Sequence, residues 1–376
     1  MKSGMDFLSC LHQDLSLKIF MSFEDPSDLV RISAVSRSWR HFVITHGLCK
    51  DLCLRLFPQL SKVDHVNEPT GAIKGPAEAG SSTSRECEVS EREHRVFAFL
   101  ARGCLSFSLR ECISEAIIAS STDNYPEESI DNTLEPRDRV GRRASYWSSK
   151  GQKNPAVPET LTYRLVADLC VITEINLRPF QAYFQFGYPI YSAKSVRFRM
   201  GYIRSSMENL VNESCQGSGD DKFVWTYTSQ EFPMAQENRL QNFKLPESVL
   251  CIGGILQIEL LGRVQRQDMD GLFYICVSHV QVVGRALSPA FGVQILEPSD
   301  KFVLEALSYS QPTAPEWPSP APATTLQMRV RDLEQIVNIL RGNVANVVEY
   351  GYGFDFDDEE SDEEEEEEEE EGVDIE

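Results

Sequence analysis

The spacing of the apolar residues changes once along this chain, and that change limits what it can fold into. In the first sixty residues they recur every three or four positions. Leu11, Leu15 and Ile19 step by four, with Phe20 and Phe23 widening the stripe, which puts them on one face of a helix starting near Asp14. From about Cys112 to Leu296 they recur instead at every second position. Val196-Arg197-Phe198-Arg199-Met200-Gly201-Tyr202 sends Val196, Phe198, Met200 and Tyr202 to one face and Arg197, Arg199 and Gly201 to the other, as in a half-buried antiparallel strand. Phe223–Tyr227, Leu161–Leu165, Leu256–Leu260 and Leu272–Val283 behave alike, with Gly253-Gly254 and Asp270-Gly271 at the connections. No helical pattern of about 10–15 residues separates these strands, which disfavours a parallel α/β sheet and favours a sandwich. The fold class expected is multidomain α + β, a small all-α module followed by an antiparallel β-sandwich.

At about 100–200 residues per domain, 376 residues suit two or three, and composition marks the divisions. The helical module occupies 5–60. Gly, Ala, Ser, Pro and charge dominate Asn67–Ser90, so 61–92 reads as a flexible linker. Helical spacing returns in His94–Leu109 as a lead-in to a sandwich spanning 93–297. The run Pro312–Pro322 makes 298–325 a stiff Pro-rich spacer. Over 326–349, Leu326, Val330, Leu333, Val337, Leu340, Val344 and Val347 step by four and three in turn. That is an amphipathic heptad helix, free either to dock on a groove or to self-associate. Residues 354–376 form an acidic tail whose nine consecutive glutamates, Glu363–Glu371, repel one another and bury nothing, so disorder is expected there.

The tail also explains the charge. Of 58 Asp and Glu against 36 Lys and Arg, 17 acids lie in Asp355–Glu376, which leaves 41 acids and 36 bases elsewhere. A folded part so evenly balanced offers no basic surface for DNA or an anionic membrane, and no direct nucleic-acid or membrane partner is expected. The tail reads as solubilising, or as a handle for a basic partner such as histones, and Ser361 before Asp362 and Glu363 suits an acidophilic kinase. The longest nearly apolar run, Val249–Leu261, is broken by Gln257 and Glu259 and falls short of the ~20 residues of a spanning helix; no secretory or transit leader is read. Ten scattered cysteines without a Cys-x-x-Cys pair fit free thiols in a reducing cytosol or nucleus rather than structural zinc. No Gly-x-Ser-x-Gly, P-loop or dinucleotide fingerprint occurs. Only His279 of the six histidines lies in the β region, where a strand histidine reads as a satisfied core or surface residue. No catalytic residue, cofactor or metal is assigned.

The first sixty residues read as four short helices. Asp25 offers an N-cap with Pro26 at the first helical position, and Trp39, Phe42 and Val43 keep helical spacing, as do Leu48, Leu52 and Leu56. A unit this small has more apolar stripe than it can cover alone, so it should dock on something, the chain's own β domain included. Six acids against six bases over Asp6–Arg55 weaken a helix-turn-helix reading. Leu11-x-x-Asp14-Leu15, Ile19-Phe20, Pro26-x-Asp28-Leu29 and Val35-Ser36-Arg37-x-Trp39-Arg40 resemble the F-box in order and spacing. His12 stands where that family usually has proline. The resemblance implies insertion into a Skp-type adaptor and, through it, attachment to a cullin. It implies adaptor contacts by Leu11, Asp14, Leu15, Ile19, Phe20, Pro26, Asp28 and Leu29. Val35, Trp39 and Phe42 would form the box's core, with Trp39 closing it.

Further on, Ala119–Glu128, Tyr146-Trp147-Ser148-Ser149, Leu161–Leu165 and Ile175-Asn176-Leu177 resemble the opening of discoidin-like, galactose-binding-type jelly rolls. A jelly roll behind an F-box implies a reader of the target protein, and the order of box, jelly roll and acidic tail is similar to that of plant F-box proteins. Candidate ligand residues on its loops are Asp123, Asn124, Tyr125, Asp131, Asn132 and Trp147, for a protein or a glycan, with Trp147 also suited to plugging the barrel. Arg137, Arg139, Arg142 and Arg143 form one basic cluster, read as a solvated loop, a phosphate patch or a nuclear-import signal. The chain is thus expected to be a non-catalytic substrate receptor of a Skp–cullin–F-box ubiquitin ligase, in the cytoplasm, the nucleus or both. The alternative is a non-ligase module that binds glycans or histones.

Overall fold

The computed structural model describes residues 7–68, 82–140, 143–204, 222–297 and 299–309. It opens with five short helices, α1 (Phe7–Cys10), α2 (Gln13–Met21), α3 (Pro26–Ser33), α4 (Arg37–Thr45) and α5 (Leu48–Leu56). Each break has a local cause. His12, extended at φ −63° and ψ 141°, is the N-cap of α2, its imidazole accepting from the Asp14 N–H at 3.5 Å. Asp25 accepts from the Ser27 N–H at 2.7 Å with Pro26 in the first turn. Ser36 Oγ accepts from the Trp39 N–H at 3.2 Å, and Gly47, left-handed at φ 61°, turns the chain into α5. Phe20, Leu29, Ile32, Val43 and Leu52 bury themselves between the helices, with the Trp39 and Phe42 rings 5.4 and 5.2 Å from that of Phe20.

The span 61–92 is not simply a linker. A 3-10 turn, Pro58–Lys62, runs into strand β1 (Val63–Asn67), and a long helix, α6 (Ser82–Ser106), begins well before His94. The strand was not legible locally, because it owes its order to the distant β-strand beside it, and the helix was legible only from His94 onward. The apolar side of α6, Val96, Phe97, Leu100 and Cys104, packs in the same core as α5, and Cys53 Sγ reaches the Phe97 carbonyl at 3.3 Å.

The sandwich strands follow as β2 (Arg110–Glu111), β3 (Ile113–Ala119), β4 (Arg139–Val140), β5 (Arg143–Ala144), β6 (Trp147–Ser148), β7 (Glu159–Leu165), β8 (Leu169–Gln181) and β9 (Ile190–Tyr191). After them come β10 (Ala193–Ile203), β11 (Phe223–Thr228), β12 (Phe232–Pro233), β13 (Gln241–Ile252), β14 (Ile255–Arg263) and β15 (Cys276–Ala286). One sheet runs β11-β10-β14-β7-β3 and the other β13-β8-β15-β2, and neighbours are antiparallel throughout. The chain passes from one sheet to the other between β7 and β8, β8 and β10, β11 and β13, β13 and β14, and β14 and β15. That wrapping is a jelly roll. Val196, Phe198 and Met200 of β10 point into the shared core with Leu161, Tyr163, Ile258, Leu177 and Val280. Across from Gly201, an added Cβ would sit 1.9 Å from the Val224 carbonyl oxygen, at the bulge where β10 and β11 slip register.

Two more strands, β16 (Phe291–Leu296) and β17 (Lys301–Ala306), form a hairpin, and β17 pairs in parallel with β1. The hairpin straddles the boundary at 297 and places a strand in the expected spacer 298–325, because the run Phe302-Val303-Leu304 is buried there. The rest of that spacer, the heptad helix 326–349 and the tail 354–376 lie outside the described residues.

Strand register gives the sandwich two unlike ends. At one, here the base, lie Leu169, Ile252 and Ala286, and at the other Pro179, Gln241 and Val277. Leu169, Val171, Leu250, Ile252 and Leu287 of the base share a single core with Phe20, Leu52, Leu60, Phe97 and Leu100. The helical module therefore sits on the base, and the described loop residues 120–140, 143–158, 182–192, 229–240 and 264–275 occupy the free end.

Candidate functional site

Helix α2 carries apolar residues on two faces. Ser16 and Phe20 turn inward, whereas Leu15 and Ile19 are 50% and 42% exposed and Leu11 is also exposed. Leu15 and Ile19 stand one turn apart, so they form an outward stripe on a helix whose other face is already packed, with Leu11 just ahead of its N-cap. Asp14 is exposed beside it, and Asp28 accepts from Arg31 at 2.8 Å. Phe20, Leu29 and Pro26 are buried in the module's own core, so the expectation that they contact an adaptor is corrected. Val35 is corrected in the opposite sense: it lies at the turn between α3 and α4, 61% exposed, and not in the core. Apolar spacing marked these residues, but which face turns inward depends on how α3, α4 and α5 pack.

The free end is pinned from beneath by a buried ion pair. Arg263, fully buried at the end of β14, donates to the Glu159 carboxylate of β7, to Ser149 Oγ at 2.7 Å and to the carbonyls of Lys150, Val157 and Phe273 at 3.0, 3.2 and 3.1 Å. Glu159 also accepts from Ser120 and Ser121. One guanidinium thus ties two loops to the strand ends.

Of the six residues expected to bind substrate, Asp123, Asn124 and Tyr125 are exposed on the first of these loops. Loss of solvent around it, then the nearby Asp270 charge, holds the Asp123 carboxyl above its usual range. Asn124 donates to Glu128 at 3.2 Å. Asp131 accepts from Ser129 at 3.2 Å, and Asn132 donates to the Glu127 and Tyr146 carbonyls at 2.6 and 2.9 Å, bracing the loop. Trp147 is wholly buried, its indole N–H on the Ser121 carbonyl at 3.0 Å, so the expectation that it meets a ligand is corrected. His279 is also buried, with Nδ1 2.9 Å from the Thr133 carbonyl oxygen.

Sequence reasoning missed the neighbouring hairpin between β8 and β9, Tyr183-Phe184-Gln185-Phe186-Gly187-Tyr188. Phe184 and Tyr188 are 51% and 62% exposed, and the ring of Phe186 stands fully in solvent. Gly187 and Tyr188 both take left-handed backbone, at φ 77° and 50°, uncommon for a tyrosine. Internal bonds hold it: the Tyr188 N–H reaches the Gln185 carbonyl at 3.1 Å, Gln181 Nε2 the Tyr188 carbonyl at 3.2 Å, and the Tyr191 hydroxyl Gln185 Oε1 at 2.6 Å. At its root Phe180 stacks on Tyr146 at 3.9 Å. The signal was present in the sequence as four aromatics in six residues without one charge.

A family model described as F-box-like matches residues 10–55. An F-box protein of Arabidopsis thaliana is 52% identical over 358 residues, covering 92% of this chain and 95% of that protein. The chain belongs to the F-box proteins. Among solved structures, a family 32 carbohydrate-binding module from a Clostridium perfringens family 31 glycoside hydrolase is 12% identical. It covers 45% of this chain and 90% of its own, at a TM-score of 0.30. A fragment of a putative chitobiase from Bacteroides thetaiotaomicron is 8% identical over 48% of this chain and 96% of its own, at a TM-score of 0.33.

Proposed function

We propose that this chain is the substrate-receptor subunit of a Skp–cullin–F-box ubiquitin ligase, working in the cytoplasm, the nucleus or both. The observation that carries the reading is the pair Leu15 and Ile19, exposed on a helix whose opposite face is packed, with Leu11 exposed just ahead of its N-cap. Full burial of an aliphatic side chain is worth about 1.5–3 kcal/mol before association costs, so these few anchors supply most of the binding to a Skp-type adaptor. The target is held at the free end of the sandwich. Chemistry belongs to the ubiquitin-conjugating enzyme that the cullin recruits, and this non-catalytic chain contributes proximity, keeping a target lysine near the charged ubiquitin.

The test is a pull-down of the full chain against a Leu15→Asp/Ile19→Asp variant, scoring adaptor and cullin. Both positions face solvent, so the variant should melt as the wild type does. The expected result is recovery of both proteins with the wild type and of neither with the variant. Equal recovery with the two forms, or none with either, would remove the reading.

A further inference from the structure

We infer that the free end of the sandwich docks an acidic peptide segment bearing large apolar side chains, read jointly by the aromatic hairpin and by Arg139 of the β4–β5 ribbon. This deepens the receptor reading and rests on it. Three observations converge. First, Phe184, Phe186 and Tyr188 expose their rings within five residues, and clustered exposed apolar surface of this kind marks an interaction site. Second, the hairpin is already ordered by its own hydrogen bonds and by the Phe180–Tyr146 stack, so docking on it loses little conformational freedom.

Third, a guanidinium without a carboxylate partner lies beside it. The Arg139 guanidinium lies 3.6 Å from the Tyr183 ring centroid at the hairpin's root, which joins the two elements into one surface. In the ribbon, Arg139 is exposed and sits opposite Ala144, while Arg143 and Val140 take the other face. Neighbouring acids are taken: Asp138 pairs with Arg178 at 3.3 Å and Glu135 with Arg137 at 3.9 Å. On the other flank, Glu128 and Asp270 keep their charge, accepting only from the Tyr146 hydroxyl at 2.7 Å and the Leu272 N–H at 2.9 Å, so an acidic segment is drawn to the ribbon side of the hairpin. Among the described residues Arg139 and Arg143 have no carboxylate partner. An uncompensated guanidinium beside three exposed rings selects a carboxylate next to apolar side chains, because the guanidinium fork pairs with the carboxylate while the rings bury apolar surface.

The test is selection of a random dodecapeptide library on the full chain bound to its adaptor, repeated with Phe186→Ser and with Arg139→Glu. Both side chains are exposed, so folding is not at stake, and a melting curve checks it. The expected outcome is enrichment of peptides that place Asp or Glu within a few positions of Leu, Phe or Trp. Their affinity should fall about tenfold in each variant and weaken as salt is raised. Enrichment of basic peptides, equal binding by wild type and both variants, or no enrichment at all would overturn the inference. So would preferential binding of oligothymidylate or of a galactose-terminated glycan at the same surface. Adaptor and cullin recovery, scored in the same samples, separates the two readings. Its loss with peptide selection intact strikes the receptor reading, and its retention without selection strikes this one.

Discussion

Arg263 shows how much at this site is decided by single residues. Its charge is balanced by Glu159 alone, since the remaining partners are a hydroxyl and carbonyls. Removing one member of such a pair strands the other, at a cost of about 3–5 kcal/mol. Arg263→Ala should therefore lower the urea midpoint sharply. The Arg263→Met/Glu159→Gln double variant, with both charges gone, should lose markedly less, and equal losses in the two would refute the pairing argument. None of this was legible beforehand, because Arg263 reads in sequence only as a base at the end of a strand, and the loops that cover it come from residues far off in the chain. Burial in β14 had a similar history. Gln257 and Glu259 looked like the polar face of a half-exposed strand, yet both are buried, Glu259 under Arg197 and Arg199. Leu15 and Phe20 were equally legible as apolar but not as outward and inward.

Among the elements, β1 is the one the sequence concealed most completely. Its residues Val63-Asp64-His65-Val66-Asn67 have no clear alternation, and a strand forms because β17 lies alongside, with Lys301 reaching Asp64 at 2.9 Å across 237 positions of sequence. Just beyond β1, Glu68 accepts from Arg95 of α6 through two N–H groups at 2.9 Å each, and from the Tyr309 hydroxyl. Linker, helix and the segment after β17 are clasped by that one carboxylate. Hydrogen bonding from Arg95, with Tyr309 adding to it, holds the Glu68 carboxyl below its usual range against the opposing effect of burial. With the folded value depressed, the clasp is fully stabilising above the ordinary glutamate value of 4.5 and is lost as pH falls through the folded value. Glu68→Gln should cost about 1 kcal/mol at neutral pH, the upper range for a pair whose arginine is partly exposed. Melting curves of the two forms should converge on acidification, and a gap that stayed constant with pH would show the carboxylate charge to be irrelevant. The helices α2 to α5 were far easier to read, since their caps and stripes are local, as Asp25, Pro26 and Ser36 attest.

For the whole molecule, the change of apolar period separated helical from β elements correctly, but it could not reveal that they close over one core. That core joins α3, α5 and α6 to the base of both long strands β8 and β13 through Leu29, Leu52, Leu100, Val171 and Leu250. For the receptor we propose, this union would matter, because the exposed α2 stripe and the free end are carried on one continuous body, and a bound target would not swing relative to the cullin. The union is testable with a single deletion of side-chain volume. Leu100 of α6 is wholly buried in the shared core, and Leu→Ala at such a position costs about 2–5 kcal/mol. If helices and sandwich stand or fall together, Leu100→Ala should speed amide hydrogen exchange in α3 and α5 and, to a similar degree, in the base halves of β8 and β13, which lie in the other part of the molecule. Faster exchange confined to the helices would mean that the helical module opens independently. The fixed geometry between adaptor and target would then have to come from the adaptor complex and not from this chain.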